Sequence, residues 1–310
     1  MASSQEQKTK EALERIEAAI SQITTSEKWE EYLKWQAKFP NYSANNIWWL
    51  KDQAEAMGKT IGAVAGYRKW EELGYQAQKG EKSFSVLAPI TIKIDPDQDI
   101  EGKKYKVVGF KTAPVFDISQ TKPIEGKPQI ANTSFAQRLE KDAPEKLKQS
   151  VMAEIEKSGY KVNFLDAKGW SPSKNGETIP NEKTVSIRAG MSQAQEVKTL
   201  VHELAHIKFE HTSSHTNSEV EAESTAYVVM SHFRIDSGDY SFGYVASWSN
   251  GDVDILRKTA QAVGKTSNEI IDSLNETLEG KQKQEPGLEK TMTLQTSPEL
   301  ENTPRAERSI

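Results

Sequence analysis

Two histidines four residues apart, His202 and His206, bracket Glu203 in a stretch where Val197, Leu200, Val201, Leu204 and Ile207 recur at helical spacing. That pattern predicts a helix from Ser192, a suitable N-cap, to about Glu210. Four residues along a helix put both imidazoles on one face, about 6 Å apart along the axis and close enough to share one ion. Glu203 projects beside them, where it can deprotonate a water on that ion. Two surface histidines on an amphipathic helix are the plain alternative, which the helical setting of the His-Glu-x-x-His motif argues against.

A catalytic zinc takes three protein ligands and keeps one position open. The chain has no cysteine, which excludes disulfides, cysteine-held zinc, iron–sulfur clusters and thiol catalysis. The third ligand must come from His211, His215, Glu219, Glu221 or Glu223. A second helix is expected over about Ser218–Phe233, with Glu219 and Glu223 one turn apart on one face and Glu221 roughly opposite. This arrangement resembles that of gluzincins, where a glutamate on the second helix binds metal and an acidic residue four positions later orients a ligand histidine. The resemblance implies Glu219 as ligand and Glu223 as acceptor of the histidine's other N–H; the reverse assignment is the alternative. His211 and His215 lie past the helix end, and neither stands at the distance of a metzincin third histidine. In zincin-like peptidases an edge strand beside the metal helix holds an extended substrate, a part that falls here to Thr184–Arg188. His232, Tyr227, Tyr240 and Tyr244 are candidates for an oxyanion donor, each as readily structural.

The rest of the chain reads as an α+β protein of two domains with a polar tail. Helices are expected over 5–23 (through Leu13, Ile16, Ile20 and Ile23), Glu27–Ala37 with Ser26 as N-cap, Ala44–Met57, Glu145–Lys157 and Asp252–Leu274. Strands are expected at Phe84–Ala88, Tyr105–Phe110, Val115–Ile118, Lys161–Phe164 and Thr184–Arg188, with 119–136 as a linker and a turn-rich stretch through Pro172, Gly176 and Pro180. The divisions are a helical extension over 1–26, a first domain over 27–128, a second over 129–275 and a disordered tail over 276–310. A mean hydropathy of -0.69 fits a solvated tail. No apolar run approaches a membrane span and the N-terminus lacks signal-peptide character, so a cytoplasmic protein without membrane contact is expected.

Five of the seven tryptophans, Trp29, Trp35, Trp48, Trp49 and Trp70, fall in the first domain, and residues 34–93 hold 9 basic against 5 acidic residues. Aromatic faces and cations together suit single-stranded nucleic acid. An aromatic core accounts for many of them as well, since adjacent Trp48 and Trp49 cannot face one way on a helix. The motifs Asn41-Tyr42-Ser43-Ala44-Asn45-Asn46, Gly66-Tyr67-Arg68-Lys69-Trp70, Lys79-Gly80-Glu81-Lys82, Leu87-Ala88-Pro89 and Val115-Phe116-Asp117-Ile118-Ser119-Gln120-Thr121 resemble the N-terminal domain of ArdC-type antirestriction proteins. That plasmid- and phage-borne family pairs a single-stranded-DNA-binding domain with a zinc metallopeptidase domain similar to the ImmA/IrrE peptidases. The resemblance covers roughly 27–275 and leaves the first helix and the tail outside. It implies Zn2+ as cofactor, single-stranded DNA as partner, a protein substrate or restriction enzyme as a further one, and DNA contacts at Tyr42, Asn45, Arg68, Trp70, Lys79 and Lys82. The implied role is protection of mobile-element DNA. A DNA-binding factor with a purely structural metal, and a regulatory protease cleaving a repressor, are the alternatives; an intact Glu203 favours catalysis, since a structural site needs no general base.

Overall fold

The computed structural model describes residues 4–93, 105–128, 143–166, 168, 170–171, 174–211, 216–235, 248–249 and 251–282. It is an α+β fold. Helix α1 (Ser4–Ser21) buries Ala12, Ile16 and Ile20, one residue per turn, and Ile23 continues the stripe beyond its end. Leu13, expected on that stripe, is 45% exposed; Ala12 takes the inward position. The helix lies on α3 and a long strand, where Gln5 Nε2 donates to the Thr112 carbonyl at 3.0 Å. It is thus built into the core and is no appendage.

Helix α2 (Ser26–Lys38) is capped by Thr25, whose hydroxyl accepts from the Lys28 N–H, and not by Ser26 as expected. Helix α3 (Ala44–Ala56) is covered on several sides by α1, α2, a strand and the last helix. Adjacent Trp48 and Trp49 are therefore both buried while pointing different ways. Tyr32 of α2 stacks on Trp48 with ring centroids 3.9 Å apart.

Strand β1 (Val64–Ala65) precedes α4 (Tyr67–Glu72) and β2 (Tyr75–Ala77). Strands β3 (Phe84–Lys93) and β4 (Tyr105–Asp117) form one long antiparallel ribbon, in the sheet order β1-β4-β3. The two strands expected over 105–118 are thus one. Being outermost, β3 would leave backbone groups unpaired, and α3 satisfies them. Asn46 bonds both the N–H and the carbonyl of Leu87 (2.7 and 3.0 Å), and Gln53, two turns on, does the same at Ser85 (both 2.9 Å). A 3-10 turn (Ile118–Gln120) and β5 (Thr121–Pro123), which pairs with β2, occupy the start of the expected linker.

The later half has α5 (Ala143–Lys157), β6 (Lys161–Leu165), β7 (Gly176–Ile179), β8 (Thr184–Arg188), α6 (Gln193–Lys208), α7 (Thr216–His232) and α8 (Val253–Gln282). The sheet order β6-β8-β7 makes β8 central, parallel to β6 and antiparallel to β7. The edge strand beside α6 is therefore β7, in the stretch read as turns, and not Thr184–Arg188. Helix α8 runs past its expected end at Leu274, because Leu278 is buried too; the tail from 283 onward lies outside the described residues.

One apolar core joins the two halves, drawing on α1, α2 and α3 as well as α5 to α8. Trp29 Nε1–H donates to Ser224 Oγ of α7 at 2.9 Å, and Tyr32 O–H to the Ala260 carbonyl of α8 at 3.2 Å. Glu154 of α5 ties α6 and α8 together, accepting from Lys208 (2.8 Å) and Ser273 (2.6 Å). Because Ile16 is fully packed, Ile16→Ala is expected to cost about 2–4 kcal/mol in urea unfolding. A change under about 0.5 kcal/mol would return α1 to the status of an appendage.

Candidate metal centre

Helix α6 starts at Ser192, whose hydroxyl accepts from the Gln195 N–H. Val197, Leu200, Val201 and Leu204 are fully buried against the core. That fixes the helix's rotation and leaves His202 and His206 half-buried on the side facing α7. Their Nε2 atoms lie 3.1 Å apart. From α7, Glu219 brings Oε2 to 3.4 Å from His202 Nε2 and Oε1 to 3.6 Å from His206 Nε2. Donor atoms held ~2 Å from one ion at tetrahedral angles stand ~3.3 Å apart, so these three residues fit a divalent ion. Among the described residues they are the one group of three whose ligand atoms lie within 4.8 Å of one another.

Glu223, one turn along α7, accepts at Oε2 from His202 Nδ1 (3.1 Å), and its Oε1 pairs with Lys198 Nζ (3.1 Å). Glu219 thus faces the Nε2 atoms while Glu223 faces the opposite ring nitrogen. Glu203 lies close enough to His202 and Glu219 to interact electrostatically with both, and Thr178 Oγ1–H of β7 donates to its Oε2 at 2.7 Å. Gly176 makes room for this carboxylate: a Cβ there would sit 2.5 Å from Glu203 Oε1 and 2.6 Å from Thr199 Cγ2.

Sequence reading weighed His211 only as a third ligand, past the helix end, and did not place it against His206. Helix α6 ends in a turn with Glu210 in the left-handed region (φ 55), where glycine is usual. The Glu210 N–H donates to the Ile207 carbonyl and the His211 N–H to the His206 carbonyl, both at 3.0 Å. This folds the chain back so that His211 Nδ1 lies 2.9 Å from His206 Nδ1, and its Nε2 lies 3.0 Å from Glu221 Oε2. The ring stacks on Phe209 at 5.1 Å.

Burial opposes charge on His202, but the carboxylates of Glu219, Glu223 and Glu203 outweigh it and hold its pKa up at about 10. Burial and the charge on His202 push His206 down to about 4. The metal-free pair therefore carries one positive charge at neutral pH, on His202. Burial raises Glu203. The hydrogen bond to His202 lowers Glu219. For Glu223 burial works upward, but His202 and Lys198 prevail and lower it.

Other expected site residues lie elsewhere. His232 Nδ1 lies 3.3 Å from the Ala37 carbonyl and Tyr227 O–H donates to Glu30, so both brace α2. His215, Tyr240 and Tyr244 lie outside the described residues. Of the expected DNA contacts, Arg68, Lys79 and Lys82 are exposed and Asn45 is half-buried. Tyr42 is half-buried with its O–H on the Val64 carbonyl at 3.0 Å. Trp70 is a correction: 1% exposed, with Nε1–H on the Phe116 carbonyl, it has no face left for a base. Among the described residues of the first half, the exposed aromatic rings are Tyr67 at 52%, Tyr105 at 60% and Phe110 at 53%.

Residues 3–116 match the family model for the N-terminal domain of anti-restriction factor ArdC. The match includes α1, which the sequence reading had placed outside it. An uncharacterized protein of Bacillus anthracis is 25% identical over 87% of this chain, which spans only 51% of that protein, about half its length. Two crystal structures of the antirestriction protein ArdC from plasmid R388 are 19% identical. The metal-free one covers 77% of this chain and 86% of that chain with a TM-score of 0.45. The Mn(II)-bound one covers 87% and 97% with a TM-score of 0.49. Among the described residues no helix is long and apolar enough to cross a membrane.

A ligating imidazole must present a lone pair, so an ion that binds here has to displace the proton held on the His202–His206 pair. Because the raised pKa of about 10 keeps His202 charged at neutral pH, affinity should rise with pH across the whole neutral range. Calorimetry in buffers of different ionisation enthalpy should find about one proton released per zinc and about tenfold tighter binding per pH unit from 6 to 8. Affinity unchanged over that range would contradict this proton assignment.

Proposed function

We propose that this chain is an antirestriction protein that binds single-stranded DNA and carries a metal-dependent peptidase centre. The observation that carries the enzymatic part is the convergence of His202 Nε2, His206 Nε2 and the Glu219 carboxylate within 4.8 Å, with Glu203 next in sequence. Two imidazoles and a carboxylate suit zinc and leave a coordination position open; the same set also accepts manganese. The antirestriction part rests on the match of residues 3–116.

Bound there, a divalent ion would supply Lewis acidity to polarise a peptide carbonyl. Glu223 holds His202 by its Nδ1–H, with Lys198 fixing the carboxylate in turn. Glu203 is the general base, drawing the proton from the attacking water and passing it to the leaving amine. Burial raises its pKa, which makes the carboxylate a stronger base. The Thr178 hydroxyl orients it. Strand β7, outermost among the described strands of its sheet, lies beside α6 and offers backbone along which an extended peptide could pair.

For DNA, the reading rests on exposed side chains. Arg68 lies beside exposed Tyr67 on α4, and Lys79 and Lys82 flank the Gly80 turn. On the β3–β4 ribbon the register puts Tyr105, Val107 and Phe110 on one face with Lys93. The residues between, 94–104, hold Asp95, Asp97, Asp99 and Glu101 against Lys103 and Lys104, so phosphate contacts are assigned to the stem lysines.

Glu203→Gln should retain bound metal and lose peptide hydrolysis by about 10²–10⁴-fold. A Glu203→Gln variant that kept every activity would contradict the enzymatic part. Binding to an oligo(dT) strand should weaken steeply with salt, and Phe110→Ala or Tyr105→Ala should each cost about 1–3 kcal/mol. Absent or salt-insensitive binding would reject the DNA part.

A further inference from the structure

The two proposed ligand histidines are held in different ways. His202 gives its second ring nitrogen to a carboxylate, Glu223. His206 gives its own to another imidazole, His211 Nδ1 at 2.9 Å, whose far nitrogen meets Glu221 Oε2 at 3.0 Å. We infer that His211 and Glu221 form a relay that fixes the tautomer and orientation of His206. The inference rests on the metal-centre reading, because the direction of the relay follows from which nitrogen of His206 is the ligand.

The hydrogen-bond inventory leaves one arrangement. His206 directs Nε2 toward His202 and Glu219, so a ligating His206 keeps its hydrogen on Nδ1. Two N–H groups cannot face each other at 2.9 Å, so His211 must turn a lone pair to His206 and carry its own hydrogen on Nε2. That hydrogen points at Glu221, which as a carboxylate can only accept. The chain therefore runs one way: His206 Nδ1–H donates to His211, and His211 Nε2–H donates to Glu221.

The surroundings hold His211 in place for this. The left-handed Glu210 turns the backbone, the His211 N–H closes on the His206 carbonyl, and the Phe209 ring lies flat against the imidazole. Glu221 projects from α7 away from Glu219 and Glu223, toward the end of α6. His211 and Glu221 are positioning residues; neither is assigned a contact with substrate.

The test is zinc affinity of the full chain at pH 7.5, measured by competition with a chelating dye, together with ¹⁵N NMR of the zinc-loaded wild type. Outer partners of ligand histidines commonly control affinity by about 10–100-fold, and His211→Phe and Glu221→Leu should each lose that much. His211→Gln offers an amide oxygen to His206 and an N–H to Glu221, and should bind within about threefold of wild type. Thermal unfolding of the metal-free variants separates loss of the site from loss of the fold. If His211→Phe does not fold, the wild-type spectrum still decides, since it should show hydrogen on His206 Nδ1 and His211 Nε2. Hydrogen on His211 Nδ1, or undiminished zinc binding by His211→Phe, would overturn the relay alone. Failure of the wild type to bind zinc would overturn the metal centre and the relay with it.

Discussion

Everything at the candidate centre depends on how α7 packs on α6. The imidazoles of α6 could meet no third ligand if α7 were rotated by a third of a turn, because Glu219 and Glu223 would then face elsewhere. The buried face of α6, from Val197 through Leu204, and the buried face of α7, from Val220 through Met230, fix that rotation. Trp29 of α2 adds a bond to Ser224 on α7, so the N-terminal half braces the helix that carries two of the site's acids. Packing energy is thereby converted into ligand geometry, as preorganised centres require.

The cluster also shows why like and unlike charges are distributed as they are. Four groups, His202, His206, Glu219 and Glu203, crowd a partly buried space, and water cannot compensate them all. Glu219 and Glu223 stay ionised because the proton on the histidine pair and the Lys198 ammonium answer them. A divalent ion replaces that proton with greater charge, so the protein without metal holds a site electrostatically prepared for one.

How much of this was legible in the sequence varies with the physics behind each residue. The His202–His206 spacing speaks for itself once a helix is granted, and the 3.6-residue repeat also puts Glu219 and Glu223 on one face. His211 stood among the candidate ligands, but its place behind His206 was not legible, because a helical reading stops at the helix end while the left-handed Glu210 folds the chain back over it. Strand β7 was hidden since Gly176–Ile179 is too short to show alternation, and its glycine reads as a turn when it serves the close approach of Glu203. On the β3–β4 ribbon apolar residues occupy both faces, which blurs the two-residue period and made one long strand look like two. Trp70 shows the limit of composition: tryptophans near lysines suit both a base-stacking surface and a core, and only burial separates them.

The central claim is that one divalent ion is held between α6 and α7. X-ray absorption at the zinc edge of the loaded protein tests it most directly. The account predicts two imidazole nitrogens at about 2.0–2.1 Å and a carboxylate oxygen at about 2.0–2.2 Å, with the oxygen contribution altered in Glu219→Ala and both nitrogens kept. A spectrum lacking the imidazole pair, or one that Glu219→Ala leaves unchanged, would contradict it.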